Sequence, residues 1–179
     1  EYMHACALLD NGSVACWGDN YHGQLGDWSV TGSTNNSVFA RLPQNRTAVD
    51  IDVGNIHSCA ELDNGSVFCW GYGGDGRLGN GIHSAQGYPN GTFVSLPENR
   101  TVSQLDLSSS NACALLDNGS ILCWGDNKGL TPTIQPLPLN TTALRVEATG
   151  DATCAVLANH TTNCWVGFSN SAIDRGVLG

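Results

Sequence analysis

The sequence predicts an all-β chain, a partial β-propeller of about three and a half four-stranded blades. Two observations carry that expectation. A cysteine-framed stretch recurs at a blade-like period, and nothing in the chain sustains the 3.6-residue apolar period of a helix. The stretch reads Cys6-Ala-Leu-Leu-Asp-Asn-Gly-Ser-Val-Ala-Cys16-Trp17-Gly18. It returns as Cys59-Ala-Glu-Leu-Asp-Asn-Gly-Ser-Val-Phe-Cys69-Trp70-Gly71 and as Cys113-Ala-Leu-Leu-Asp-Asn-Gly-Ser-Ile-Leu-Cys123-Trp124-Gly125. A worn fourth copy runs from Cys154 to Cys164 and Trp165. The first cysteines of successive copies lie 53, 54 and 41 residues apart.

Each copy has two apolar runs around a turn tripeptide, which is the signature of a β-hairpin. A three-residue Asp-Asn-Gly loop, closed by glycine in the left-handed region, pairs Leu9 with Ser13 and Cys6 with Cys16. Counting inward puts the cysteines at a non-hydrogen-bonded position, where Cα atoms approach to about 4.5 Å and a disulfide fits. The expected cystines are Cys6–Cys16, Cys59–Cys69, Cys113–Cys123 and Cys154–Cys164, with Gly12, Gly65 and Gly119 at positive φ. Zinc is the competing reading, but its cysteines normally lie two to four residues apart, and no such pair occurs. His4 and His57 precede cysteines by two residues, where the later copies hold Asn111 and Ala152; no ligand set repeats. The expectation is no metal and no cofactor.

Repeat cores are expected at residues 1–26, 49–79, 102–130 and 144–165, with residues 166–179 read as the start of a further repeat. After each Trp-Gly of the first two copies comes a glycine loop, residues 19–26 and 72–79, whose aligned glycines are expected at positive φ. Polar excursions follow at 27–37 and 80–92. Short outer strands are then expected at 39–43, 93–97 and 134–138, and alternating strands at 49–53, 102–107 and 144–148. In the third repeat Lys128-Gly129-Leu130 replaces the glycine loop. Glu1 falls part-way into a repeat and no leader is legible, so a segment of a longer chain is expected.

Composition narrows the function. Of 179 residues 13% are charged, with a net charge of -9 and Lys128 as the lone lysine. No basic stripe can meet phosphate, which argues against nucleic acid, and no apolar run is long enough to span a membrane. Paired cysteines imply an oxidising compartment. Nine Asn-x-Ser/Thr triplets occur, at Asn11, Asn35, Asn45, Asn64, Asn90, Asn99, Asn118, Asn140 and Asn159, against about three expected by chance. Asn11, Asn64 and Asn118 belong to the repeated turn, while Asn45, Asn90, Asn99 and Asn140 have no evident backbone reason. N-linked glycans are expected, above all at Asn45, Asn99 and Asn140.

The run His4-Ala-Cys-Ala-Leu-Leu-Asp-Asn-Gly-Ser-Val-x-Cys-Trp-Gly-x-Asn-x-x-Gly-Gln-Leu-Gly26 resembles the regulator-of-chromosome-condensation repeat, in a cysteine-bearing form found in extracellular and microbial members. The resemblance covers residues 3–165 and implies a β-propeller, usually of seven four-stranded blades. Family members serve as guanine-nucleotide exchange factors, binding platforms, inhibitors and ligase adaptors, so fold alone does not fix function. Trp17, Trp70, Trp124 and Trp165 recur once per repeat and are read as core packing. Asp10, Asp63 and Asp117 are read as turn residues, and His4 and His57 as caps on backbone. No nucleophile motif or phosphate loop appears, so no enzyme is expected. The reading is a structural or interaction module of a secreted or surface glycoprotein, a component of an extracellular filament or flagellar hair, whose partners are proteins or copies of itself. A soluble protein- or carbohydrate-binding propeller is the alternative, and an intracellular exchange propeller the third reading.

Overall fold

The structure, a computed structural model, describes residues 3–29, 32–84, 87–126, 128–149 and 152–166. Fourteen strands form four antiparallel sheets, one after another along the chain. Blade 1 holds β1 (His4–Leu8), β2 (Val14–Gly18) and β3 (Thr34–Phe39). Blade 2 holds β4 (Ala48–Val53), β5 (His57–Leu62), β6 (Val67–Tyr72) and β7 (Gly87–Phe93), with one 3-10 turn at Gly74–Gly76. Blade 3 holds β8 (Val102–Leu107), β9 (Asn111–Leu116), β10 (Ile121–Gly125) and β11 (Gly129–Ile134). Blade 4 holds β12 (Ala143–Thr149), β13 (Ala152–Leu157) and β14 (Thr162–Val166). Two of the four blades therefore have the four strands expected of each. Residues 167–179, read as the start of a further repeat, lie outside the described residues.

The hairpins have the expected register. Leu8 faces Val14 and Cys6 faces Cys16, while Leu9 N donates to Ser13 O at 2.9 Å and Gly12 N to Leu9 O at 2.9 Å. Gly12, Gly65 and Gly119 have φ of 78, 75 and 78°. In the fourth hairpin His160 holds the same turn position at φ 65°. All four cystines close within their own hairpins, and no free cysteine remains.

The outer strands correct the sequence reading. They were expected at 39–43, 93–97 and 134–138, but they run over Thr34–Phe39, Gly87–Phe93 and Gly129–Ile134, the first two mostly within the supposed polar excursions. An outer edge strand needs few apolar residues, because most of its side chains meet solvent. Thr34–Phe39 accordingly shows no alternation that would have marked it.

The core lies between blades. β4, β8 and β12 pack successively against the neighbouring blade and form the inner edge of the arc. One apolar cluster joins blades 1 and 2, a second joins blades 2 and 3, and a third joins blades 3 and 4. Adjacent residues on a strand point to opposite faces, so the Cys-Trp pair serves both interfaces of its blade. Cys59 and Cys69 lie in the cluster shared with blade 3, while Trp70 lies in the cluster shared with blade 1.

Candidate interaction surface

The repeat tryptophans fasten each blade to the one before it. Trp70 Nε1 donates to Gln24 O at 2.9 Å, and Trp124 Nε1 donates to Arg77 O at 3.0 Å. Gln24 and Arg77 are the same position of two successive glycine loops. Gly26 and Gly79 let the indole lie flat on the loop: a methyl group there would come within 2.7 Å and 3.0 Å of Trp70 Nε1 and Trp124. Trp165 is buried, but its Nε1 finds no acceptor among the described residues, since the third repeat has no such loop to offer. Trp17 corrects the expectation of core packing: it is 40% exposed, with no described blade on that face.

Acidic side chains tie the inner edge together. Asp52 on β4 accepts from Leu107 N of the next blade at 2.6 Å, and Asp106 on β8 accepts in the same way from Ala148 N. Gln104 grips Val146 with both ends of its amide, at 3.0 and 2.7 Å. Burial raises the pKa of Asp52 and pushes Asp106 up to about 6, and neighbouring carboxylates add to both shifts. Glu61, opposite Asp50 in the β4–β5 pair, is pushed up to about 7 by burial and then by Asp50. Among the described residues no group of three or more His, Cys, Asp or Glu side chains could hold a metal ion.

Of the two histidines read as backbone caps, His57 makes no such bond among the described residues, while His4 lies against the Asn55 backbone and also reaches a side chain of the next blade. His4 Nε2 meets Ser58 Oγ of the next blade at 2.8 Å, and that hydroxyl donates to Gln24 O at 2.9 Å. Blade 3 has Ala112 where blade 2 has Ser58, so the equivalent His57 lacks its hydroxyl. Both of its ring nitrogens are buried without a partner among the described residues. Burial lowers His57 to about 3 and His4 to about 4.

All nine Asn-x-Ser/Thr asparagines are exposed. Asn45, Asn99 and Asn140 do have a backbone reason, which corrects the sequence reading. They sit at φ 61, 58 and 62°, the left-handed region that asparagine tolerates better than other side chains. Their threonines have one too. Thr47, Thr101 and Thr142 lie over the hairpin glycines Gly12, Gly65 and Gly119, where a methyl would come within 2.5, 2.4 and 2.5 Å of the threonine Cβ. Beside them Arg46 and Arg100 reach the turn residues Asp63 and Asp117 at 3.3 and 3.1 Å. At Asn11, Asn64, Asn118 and Asn159 the side-chain oxygen accepts from the backbone N–H two residues on, as a turn requires. Asn35 and Asn90 lie on the outer strands β3 and β7. The excess of triplets therefore owes much to the repeat's own geometry.

A four-bladed arc with cores only between blades defines the class: a β-propeller segment. Residues 3–24, 48–77 and 102–128 match the family model described as the regulator of chromosome condensation (RCC1) repeat. The chain belongs to the RCC1 repeat family, with three matched repeats between residues 3 and 128. It is 35% identical over 125 residues to the human E3 ubiquitin-protein ligase HERC2, a match covering 69% of this chain and 2% of that protein. It superposes on yeast RCC1 (Prp20), solved bound to Kap60, with a TM-score of 0.74 and 20% identity, over 92% of this chain and 41% of that one. The ectodomain of the Arabidopsis thaliana receptor kinase ACR4 gives 0.57 and 19% identity, over 91% and 49%. The chain thus spans less than half the length of each. Both structural likenesses concern the fold. No helix among the described residues is long and apolar enough to cross a membrane.

Proposed function

We propose that this chain is a non-enzymatic interaction segment of a secreted or surface-displayed glycoprotein, serving in an extracellular assembly such as a filament or flagellar hair. The observation that carries the reading is one cystine inside every hairpin. Such cross-links persist in oxidising compartments and are reduced in the cytosol. The exposed triplet asparagines are compatible with N-linked glycans; turn geometry accounts for seven of the nine, and Asn35 and Asn90 lie on outer strands. Support for an interaction role comes from the fold class, since yeast RCC1 was solved with the protein Kap60. A discrete binder rather than a filament is the second reading, favoured by that same complex.

Two measurements on protein from its native source test the proposal. Within peptides of these 179 residues, alkylation before and after reduction should label no thiol in the first step and eight in the second, given eight cysteines in four cystines. Intact mass should fall on enzymatic deglycosylation. Free thiols with an unmodified mass would refute the secreted glycoprotein and return the chain to an intracellular propeller. Electron micrographs of the same material then separate fibres from discrete particles.

A further inference from the structure

Trp28 stands outside the repeat pattern, in a conformation that the repeat reserves for glycine. The first two glycine loops align as Gly23-Gln24-Leu25-Gly26-Asp27-Trp28-Ser29 and Gly76-Arg77-Leu78-Gly79-Asn80-Gly81-Ile82. Trp28 has φ 70° and Gly81 has φ 80°. The turns are otherwise alike: Ser29 N donates to Asp27 Oδ1 at 3.1 Å, and Ile82 N donates to Asn80 Oδ1 at 3.0 Å. A left-handed backbone disfavours a bulky side chain, so glycine is the residue this turn selects, and tryptophan there works against stability. The turn is held rigid despite that. Asp27 Oδ1 also accepts from Ser29 Oγ at 2.7 Å and from Asn20 Nδ2 at 3.2 Å. Burial alone would raise the Asp27 pKa, but these hydrogen bonds outweigh it and keep the carboxylate charged.

A second substitution accompanies the first. Arg41 N donates to Gly26 O at 2.8 Å, as Ser95 N does to Gly79 O at 3.0 Å, so Arg41 replaces a serine of blade 2. Its guanidinium carbon lies 4.7 Å from the centre of the Trp28 ring. Arg46, Arg77, Arg100 and Arg145 all reach carboxylates. Arg41 alone among the described arginines has an aromatic partner and no carboxylate, in a chain of net charge -9. Trp28 is 53% exposed. Tryptophan and arginine side by side are the residues that most often dominate binding at protein interfaces. Stacking on the ring steadies the planar guanidinium of an exposed arginine, whose N–H fork matches a carboxylate.

We infer that Trp28 and Arg41 form the anchor of a docking site for an acidic segment of a partner protein: a carboxylate accepts from the Arg41 fork, and an adjoining apolar side chain lies on the Trp28 ring. The inference rests on the interaction role proposed above and adds to it the face and the chemistry of the partner.

The test uses the oxidised 179-residue chain and the blocked peptide acetyl-Leu-Glu-Leu-Glu-Leu-amide, followed through the tryptophan indole N–H resonances. The Trp28 resonance should shift on titration, while those of the buried Trp70 and Trp124 stay in place. Apparent affinity should fall at least tenfold in Trp28→Gly and in Arg41→Gln, and equally for wild type with the Gln-for-Glu peptide. A residue that merely packs would behave differently on heating. Because glycine suits this turn, Trp28→Gly should melt at the wild-type temperature or above while losing the peptide. A lower melting temperature for Trp28→Gly, unchanged affinity in either variant, or no Trp28 shift overturns the assignment. So does tighter binding of a hexasaccharide of alternating glucuronate and N-acetylglucosamine. Binding that depends on Trp28 and Arg41, in a protein found unglycosylated with free thiols in its native source, would leave this site standing and remove the secreted reading.

Discussion

Trp124 and Trp17 occupy the same position of the same repeat, yet one is sealed and the other is 40% exposed. The hairpins beneath them have the same register and cystine pairing. What differs is the neighbour: Trp124 lies against the glycine loop of blade 2, and no described loop lies against Trp17. The other end of the arc shows the converse. Cys16, Cys59, Cys69, Cys113 and Cys123 are fully buried toward a following blade, whereas Cys154 and Cys164 are half-buried on a face with no blade among the described residues. A blade of this protein thus has little core of its own, and its stability comes from nearest-neighbour interfaces, as in other repeat arrays.

The largest test of that view is a pair of truncations. Trp124→Ala should cost about 3–5 kcal/mol in chemical denaturation, the usual range for a buried tryptophan. Trp17→Ala should cost about 1 kcal/mol or less, since half-exposed apolar surface contributes little. Equal losses would mean that each blade holds its own tryptophan, and the interface account would fall.

The cystines give the next comparison. All four close loops of the same length, so chain entropy predicts about 2.5–3 kcal/mol for each, an upper figure because the hairpin already brings the ends together. Packing separates them. The double change Cys59→Ala/Cys69→Ala also opens space between blades 2 and 3, and should cost about 1 kcal/mol more than Cys154→Ala/Cys164→Ala. Melting of the two double variants side by side measures the difference.

What the sequence displayed and what it hid follow from the same distinction. Hairpin register, cystine pairing and glycine φ were legible because each depends on residues within eleven positions of one another. Burial of Trp165 was read correctly, but the exposure of Trp17 and the missing acceptor of Trp165 were not legible, because these depend on what another repeat supplies. The partnerless ring of His57 needed a comparison across blades, Ser58 against Ala112, before it made sense. Asn45, Asn99 and Asn140 could have been recognised: an asparagine repeated after Leu-Pro-x is a candidate for the left-handed region, and the triplet pattern drew attention away from it. The outer strands left no apolar trace to read.

A smaller effect tests the turn itself. Gly65→Ala introduces a methyl 2.4 Å from Thr101 Cβ, at φ 75°, and should cost about 1–3 kcal/mol. His160→Gly does the reverse in the worn fourth copy, where histidine already sits at φ 65°. It should stabilise blade 4 by up to about 1 kcal/mol, since glycine adopts this region without strain. A loss on His160→Gly would show that the fourth turn has made its histidine part of the blade.

The smallest effect is one of pH, and it falls on blades 1 to 3, which carry the strongly shifted groups. Glu61 has its pKa raised from 4.5 to about 7, and Asp106 from 3.8 to about 6. A carboxylate raised in the folded state binds a proton that the unfolded chain does not, so stability increases as pH falls from about 7 toward 4.5 for Glu61. His57 and His4, lowered from 6.5 to about 3 and about 4, act in the opposite sense. They stay neutral when folded while the unfolded chain takes up protons below pH 6.5, and stability is lost as pH falls through that range. The two pairs oppose each other between pH 7 and 5, so the wild-type stability should be nearly flat there and decline below. Glu61→Gln removes one side of the balance. The variant should be more stable than wild type at pH 8, where a partly buried charge beside Asp50 has been deleted, and most of the advantage should be gone by about pH 4.5, where the folded carboxyl is protonated and the unfolded one half so. Because Glu61 is only about half buried, solvent screens the charge and the gain at pH 8 is modest. Denaturant midpoints of the two proteins at pH 8, 6 and 4.5 check this; an advantage independent of pH would mean that the carboxylate is not the group being relieved.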